Sequence, residues 1–155
     1  MALPKPNLYP AFNIVRLSHV ELAVTDLAKS RAFYVDTLGL QVTDETSGAI
    51  YLRALEERGH HCIVLRKATA PEARDLGFKV YSDEDLDKAA HFFKGKELPV
   101  EWVERPYQSR TFRTRDPHAR GGTRTANRGL GRGATLAEAI GRRYSPCLIL
   151  APLPR

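Results

Sequence analysis

The first half of the chain switches between two hydrophobic periods, and each switch predicts a new element. Over residues 15–24 apolar and polar positions alternate, which predicts a strand with one buried face. Asp26 is a favourable helix N-cap, and the apolar spacing over residues 27–38 predicts an amphipathic helix that ends at Gly39. Three further strands are predicted, over residues 40–43, 49–54 and 61–66. The predicted order of elements is therefore βαβββ.

The same order begins again after residue 75. Residues 76–81 alternate like a strand, and Ser82 with Asp85 resembles the capping box of a second amphipathic helix. Four apolar positions give that helix its spacing, Leu86, Ala89, Ala90 and Phe93. Strands are predicted next over residues 100–104 and 110–115, but no fourth strand is predicted after residue 117. The chain therefore contains an internal repeat.

The predicted fold class is α+β, with paired βαβββ modules of which the second is incomplete. The modules cover about residues 14–67 and 75–118, and residues 1–13 form a lead-in. Each module offers a curled sheet with one apolar face. Two such modules can pack together and leave a cleft between them.

Composition changes this picture only in the last quarter of the chain. Residues 119–155 hold seven arginines, no lysine, one acidic residue (Glu138) and six of the eleven glycines, so the whole net charge of +6 lies there. Such a segment has too little apolar surface to offset the entropy of ordering, and we expect it to be irregular. A shifted reading frame in GC-rich DNA is the hypothesis that this composition suggests.

Several classes of protein are disfavoured. No apolar run is long enough for a transmembrane helix, and residues 1–10 lack the apolar core of a signal peptide. Nucleic acid is not an expected partner, because the body of the chain is neutral and no aromatic residues alternate with the arginines of the tail. Cys62 and Cys147 lie far apart without metal-ligand spacing, and a reduced, cytoplasmic protein is expected.

One stretch carries a family resemblance. Residues 19–40 read HVELAVTDLAKSRAFYVDTLGL, which is similar to the opening of a vicinal-oxygen-chelate module, as found in glyoxalase I, bleomycin-resistance proteins and extradiol dioxygenases. Residues 50–57 (IYLRALEE) and 60–66 (HHCIVLR) resemble the N-terminal domain of the extradiol dioxygenases, among them the metapyrocatechases (catechol 2,3-dioxygenases) and homoprotocatechuate 2,3-dioxygenases. The likeness covers about residues 14–118. Beyond them the family's glycine and apolar strand are replaced by arginine and glycine.

The resemblance implies an activity. It implies extradiol (meta) cleavage of a catechol by O2 to a muconic semialdehyde in aromatic compound degradation. Enzymes of this family are about twice as long, and their second half holds Fe(2+) through two histidines and a glutamate. We therefore expect this chain to be the N-terminal part of a homo-oligomeric enzyme, and to be inactive and metal-free on its own. Its catalytic residues stay unassigned, because the family's lie beyond this chain.

His19 is the candidate metal ligand, because the resemblance to glyoxalase I places a first ligand there. The repeat makes Phe78 its symmetry mate, and phenylalanine cannot bind a metal. A buried histidine in a vestigial cleft is the alternative. Glu21 shares the face of His19, with which it could form half a metal site, or it pairs with an arginine such as Arg16 or Arg53.

The remaining candidates are expected to be structural. His60 and His61 resemble a metal pair, but adjacent strand residues point to opposite faces, so packing or an interdomain contact is expected. His91 and His118 have no suitable partner by spacing. Three arginines of the last predicted strand are expected at an interface or on a solvated face, Arg110, Arg113 and Arg115.

Two other functions stay open. A single-unit metal enzyme of the glyoxalase type would need a full set of histidine and glutamate ligands, against which Phe78 argues. A binding protein like the bleomycin-resistance proteins would need no metal, but the neutral body and basic tail do not match the acidic surfaces expected for cationic drugs.

Overall fold

A computed structural model of the chain describes residues 7–120, 124–127 and 147–153. Its strands are β1 Ile14–Val24, β2 Gln41–Glu45, β3 Ala49–Arg53, β4 Ile63–Lys67, β5 Glu72–Val80, β6 Glu101–Trp102, β7 Thr111–Arg120, β8 Arg124–Asn127 and β9 Cys147–Leu153. Its helices are α1 Leu27–Arg31, which continues into a π-helical segment Ala32–Thr37, and α2 Asp83–Gly95. The described strands form one sheet in the order β2-β3-β4-β1-β5-β8-β9-β7-β6.

The first module has the predicted βαβββ order. β1 lies parallel to β4, and β3 pairs antiparallel with both β2 and β4. The carboxylate of Asp26 caps α1 by accepting a hydrogen bond from the backbone N–H of Lys29 at 3.0 Å. The single helix predicted over residues 27–38 is instead α-helical for its first turn and π-helical afterwards. Gly39, with φ at 77°, follows it in the left-handed conformation that glycine adopts readily.

The second module repeats this arrangement in shorter form. Ser82 caps α2, since its hydroxyl accepts a hydrogen bond from the backbone N–H of Asp85 at 3.1 Å. β8 lies parallel to β5 and antiparallel to β7, which is the arrangement that β4 has with β1 and β3. It pairs with β5 only through Lys79 and Asn127. The predicted α+β class with two βαβββ modules is therefore confirmed. The fourth strand of the second module, which was not predicted after residue 117, is present as the four-residue β8.

The tail differs from its prediction. We expected residues 119–155 to be irregular, but β8 and β9 lie within them. β9 is a short apolar run, and it pairs antiparallel with β5 and parallel with β7. Seven mostly apolar residues suffice for a strand where neighbouring strands offer unpaired backbone groups, whatever the composition around them. Residues 121–123, 128–146 and 154–155 lie outside the described residues, and the reading-frame hypothesis and the domain boundaries stay predictions.

The sheet has apolar helix-covered faces and a more polar cleft face. Alternation along β3 sends Ile50 and Leu52 towards α1, where they form a buried cluster with Leu65. α2 covers a second cluster, built around Val80, Leu86 and Phe112. The other residues of β3, among them Tyr51, face the opposite way. No helix in the described part of the chain is long and apolar enough to cross a membrane.

Candidate functional site

The polar cleft face gathers side chains from both modules. They surround a cavity of about 10 Å³, which is room for about one water molecule. The first module contributes β1, β3, β4 and the loop before β4, and the second contributes β5 and the loop between β6 and β7. The lining polar residues are His19, Glu21, Tyr51, His61, Arg66, Asp75, Arg105 and Gln108.

Two carboxylates form the charged floor of the cleft. Glu21 of β1 and Asp75 of β5 lie directly opposite each other in the antiparallel pair, and each residue is only 6% exposed. Arg66 donates two hydrogen bonds to Glu21, at 2.8 and 3.1 Å. Arg105 contacts both acids, with an Nη2 at 3.2 Å from Asp75 and an Nη1 at 4.0 Å from Glu21. Buried charges are tolerated when they are paired and hydrogen-bonded in this way.

Glu21 pairs with an arginine, as predicted, but with neither of the two arginines named as examples. Arg16 instead binds Glu57 through two hydrogen bonds of 3.0 and 3.1 Å, and Arg53 binds the amide oxygen of Gln41. The partner is Arg66, because Glu21 pairs with Val64 across the parallel β1–β4 ladder. The residue two positions beyond Val64 lies on the same face and within reach of a long side chain.

Glu21 is held in its charged form. Burial alone would raise the pKa of its carboxyl, but the hydrogen bonds and charge of Arg66, together with the charges of Arg105 and Arg74, outweigh burial and lower it. A carboxylate whose oxygens already face three guanidinium groups is poorly placed to bind a further cation.

Three histidines pack beside the carboxylates. His19 is 3% exposed, and its Nε2 lies 3.1 Å from the side-chain nitrogen of Gln108. The ring of His61 is fully buried 5.2 Å from that of His19, centroid to centroid. The Nδ1 atoms of His60 and His61 lie 3.0 Å apart. The prediction that these two adjacent residues point apart was wrong, because they precede β4 and strand alternation does not apply to them.

The histidines are neutral near pH 7. Burial lowers the pKa of His19 to about 4, despite the opposing charge of Glu21. Burial also lowers the pKa values of His60 and His61. Their structural role therefore depends on neutral imidazole rings, in agreement with the packing role expected for His60 and His61.

The loop over residues 103–110, which we call the strap, closes the cleft from the second module. Its Arg105 reaches both buried acids, and its Gln108 reaches His19. The hydroxyl of Tyr107 donates a hydrogen bond to the carboxylate of Asp44, and its ring stacks on His60 at 3.8 Å. Tyr107 has φ at 61°, an uncommon backbone conformation for a bulky residue. Sequence reasoning missed these strap residues, because no motif surrounds them.

The other predicted residues lie away from the cavity, apart from Arg113. His91 is exposed on α2, and the side chain of His118 lies outside the described part of the chain. Arg110 pairs with Asp87 at 2.5 Å and Arg115 is exposed, as expected for a solvated face. Arg113 lies 3.8 Å from Asp75 and so belongs to the cleft.

Comparison with known proteins identifies the family. The profile of the Glyoxalase/Bleomycin resistance protein/Dioxygenase superfamily matches residues 16–118. The chain belongs to this superfamily. Among curated members, it is 29% identical over 91 residues to a manganese-dependent 2,3-dihydroxybiphenyl 1,2-dioxygenase of Geobacillus genomosp. 3, a match that covers 59% of this chain and 29% of that protein. It is 37% identical over 76 residues to a metapyrocatechase of Pseudomonas sp. (strain CF600), covering 48% of this chain and 25% of that one.

The fold of this chain is similar to that of a solved dioxygenase structure. The homoprotocatechuate 2,3-dioxygenase of Brevibacterium fuscum, in its complex with 3,4-dihydroxyphenylacetate, has 36% sequence identity and a TM-score of 0.72. The match covers 84% of this chain and 41% of that enzyme. The resemblance to extradiol dioxygenases predicted from the sequence is therefore confirmed. The chain spans less than a third of these curated relatives and about two fifths of this solved neighbour.

The cleft residues do not fit the metal that the superfamily implies. Within the described residues, no three histidine, cysteine, aspartate or glutamate side chains are grouped to hold a metal ion. Nε2 of His19 faces the amide of Gln108, and Glu21 is engaged by arginines. Phe78, the repeat mate of His19, pairs with Leu17 and offers no ligand. The metal role of His19 therefore stays a prediction that this geometry does not support.

Proposed function

We propose that this chain is the N-terminal part of an extradiol dioxygenase that cleaves catechol or a substituted catechol with O2. The product would be a muconic semialdehyde, formed in the breakdown of aromatic compounds. The observation that carries this proposal is the likeness to homoprotocatechuate 2,3-dioxygenase, with 36% identity over 84% of the chain. The curated relatives named as dioxygenases support the same assignment.

Within that enzyme we assign this chain a non-catalytic role. The cavity of about 10 Å³ is far smaller than a catechol, and the strap closes it with three side chains. Fe(2+) is the metal proposed for the whole enzyme, held by residues beyond this chain. Mn(2+) is the second ion to test, because one relative is named manganese-dependent. An aromatic diol and O2 would be the partners, and a cytoplasmic homo-oligomer the working form.

The two alternative functions receive less support from the cleft. A glyoxalase-type enzyme would need a set of metal ligands, which the described residues lack. A binding protein for a bulky ligand would need an open cleft, whereas the cavity here has room for about one water molecule.

The first experiment uses the chain alone. The purified protein is loaded anaerobically with Fe(II) or Mn(II), the bound metal is counted per chain, and air and catechol are then added. We expect neither stoichiometric metal nor the yellow ring-cleavage product. Yellow product from the chain alone would contradict the non-catalytic role, and His19→Phe would then show whether His19 takes part.

The second experiment tests the family assignment. Residues 14–118 replace the matching segment of the Brevibacterium fuscum enzyme, and the chimera is tested for metal content and for cleavage of 3,4-dihydroxyphenylacetate. We expect bound metal and measurable cleavage, while the same enzyme lacking that segment serves as the control. A folded, metal-loaded chimera without cleavage would contradict the proposal that this domain serves an extradiol dioxygenase.

A further inference from the structure

Three side chains that line the small cavity each carry a buried polar atom without a partner. Nδ1 of His19, Nε2 of His61 and Oε1 of Gln108 have no hydrogen bond to any described residue. A buried polar atom left unpaired destabilises a fold, and most such atoms in native proteins bond to protein groups or to ordered water. The cavity therefore calls for an occupant that forms hydrogen bonds.

The other contacts of the two histidines hold their rings in place. Nε2 of His19 lies 3.1 Å from the side-chain nitrogen of Gln108, and Nδ1 of His61 lies 3.0 Å from Nδ1 of His60. One nitrogen of each ring is therefore engaged, and the second is the one without a partner. Since His19 and His61 are at most 3% exposed, bulk solvent does not reach these second nitrogens.

Size and charge restrict the occupant. A cavity of about 10 Å³ has room for about one water molecule, and none for a phosphate group or an organic ligand. The charged residues of its lining balance, with two acids and two arginines, Glu21, Asp75, Arg66 and Arg105. Arg74 and Arg113 lie 3.7 and 3.8 Å from these acids and add positive charge, which disfavours a cation.

The hydrogen-bonding atoms favour a molecule that both donates and accepts. In the present orientation of its amide, Oε1 of Gln108 can only accept, so an anion such as chloride does not satisfy it. A neutral imidazole has one donor and one acceptor nitrogen, and the tautomer decides which is which. A water molecule serves either tautomer of His19 and His61.

We infer that the cavity is a binding site for one water molecule, which joins His19, His61 and Gln108. Because Gln108 belongs to the strap, this water links the second module to the first. The hydrogen-bonded chain continues from His61 to His60, and Tyr107 of the strap stacks on His60. The strap is thereby attached through two neighbouring residues. The inference does not depend on the proposed function, because it concerns contacts within this chain.

Magnetic relaxation dispersion of water ¹⁷O tests the site, because it detects water molecules held long enough to tumble with the protein. The full chain is compared with His61→Phe, which keeps a ring but removes both nitrogens, and with His61→Gln, whose amide can replace Nε2. His61→Phe should lose one long-lived water molecule, and His61→Gln should retain it. His91→Phe, at an exposed position on α2, is the matched control and should also retain it.

Hydrogen exchange of the strap amides tests the link between the modules. In His61→Phe, exchange over residues 103–110 should be at least about fivefold faster, because Nδ1 of His19 loses its partner. His61→Gln should exchange like the unchanged chain. Equal exchange in the unchanged chain and in a folded His61→Phe would contradict the linking role.

A crystal structure of the unchanged chain decides the matter even if His61→Phe does not fold. Density for one water molecule within hydrogen-bond distance of Nδ1 of His19 and Nε2 of His61 is the expected result. Direct bonds from both nitrogens to protein groups would overturn the inference. So would a halide in the cavity, which crystals grown with bromide would reveal by anomalous scattering. A folded His61→Phe with an unchanged number of long-lived water molecules would have the same consequence.

Discussion

Replacing Glu21 by glutamine tests how much the buried ion pairs contribute to stability. The substitution keeps the size and shape of the side chain but removes its charge, so that Arg66 loses the carboxylate to which it donates two hydrogen bonds. Arg74 and Arg105, at 3.7 and 4.0 Å from the same carboxylate, also lose a counter-charge. The remaining acid, Asp75, must then balance more positive charge than before.

The magnitude follows from burial. Removing one partner of a buried ion pair costs about 3–5 kcal/mol, because the other charge is left without compensation. The Glu21 side chain is 9% exposed, but those of Arg66 and Arg105 are 29% and 22% exposed and can recover some hydration. We therefore expect the lower end, about 3 kcal/mol of the free energy of unfolding.

Urea unfolding followed by circular dichroism is the assay, with Glu45→Gln as the matched control. Glu45 also pairs with an arginine, Arg31 at 3.4 Å, but both side chains are more than 40% exposed. Such a surface pair is worth less than about 1 kcal/mol. If Glu21→Gln costs no more than Glu45→Gln, the ion pairs of the cleft do not stabilise the fold and the reasoning is wrong.

Three further predictions concern the rest of the fold. Leu86→Ala should cost about 2–5 kcal/mol in urea unfolding because Leu86 is fully buried on the inner face of α2. Leu55→Ala, at a 77% exposed position, should change stability by less than about 0.5 kcal/mol. Ser82→Ala should cost about 1 kcal/mol by removing the N-cap of α2, and a cost near zero would mean that water replaces the cap. The free energy of unfolding should fall as the pH decreases from about 6.5 to about 4. Over this range His19 takes up a proton in the unfolded chain but stays neutral in the folded chain, where its pKa is about 4. This histidine alone should lower the free energy of unfolding by about 3 kcal/mol. A pH profile that His19→Phe leaves unchanged would contradict that assignment.

The order of elements was predictable because it depends on local patterns. The alternation in β1 and the capping box at Ser82 are visible within a few residues. The order of elements in the first module also recurs in the second, which supports both predictions. The π-helical segment was not predictable, since the sequence of residues 27–38 is equally compatible with a regular α-helix. Nor was β9, because a short apolar run at the end of a tail with this composition does not by itself indicate a strand.

The cleft was only partly predictable, because its contacts join distant parts of the chain. His19 and Glu21 were identified from one strand face, but the partner of Glu21 lies 45 residues away and depends on strand register. His60 and His61 were misjudged because β4 begins at Ile63, two residues later than predicted, so that both histidines lie in the loop before the strand. The strap residues have no sequence signal, since a loop side chain acquires its role only from what the fold places opposite it.

Selection of a single strand register best explains why the cleft contains buried charges. Apolar side chains of similar volume are often as stabilising as a buried ion pair, so stability alone does not explain the network. The β1–β5 ladder is irregular at three places, and one of them directly follows Glu21. A strand pair with such irregularities has alternative pairings, and a one-residue slip of β5 along β1 would turn Asp75 out of the cleft and away from Arg105. The free-energy cost of such a slip favours a single register of the β1–β5 pair, which joins the two modules. The arginines thereby help to determine which residues face each other across the cleft.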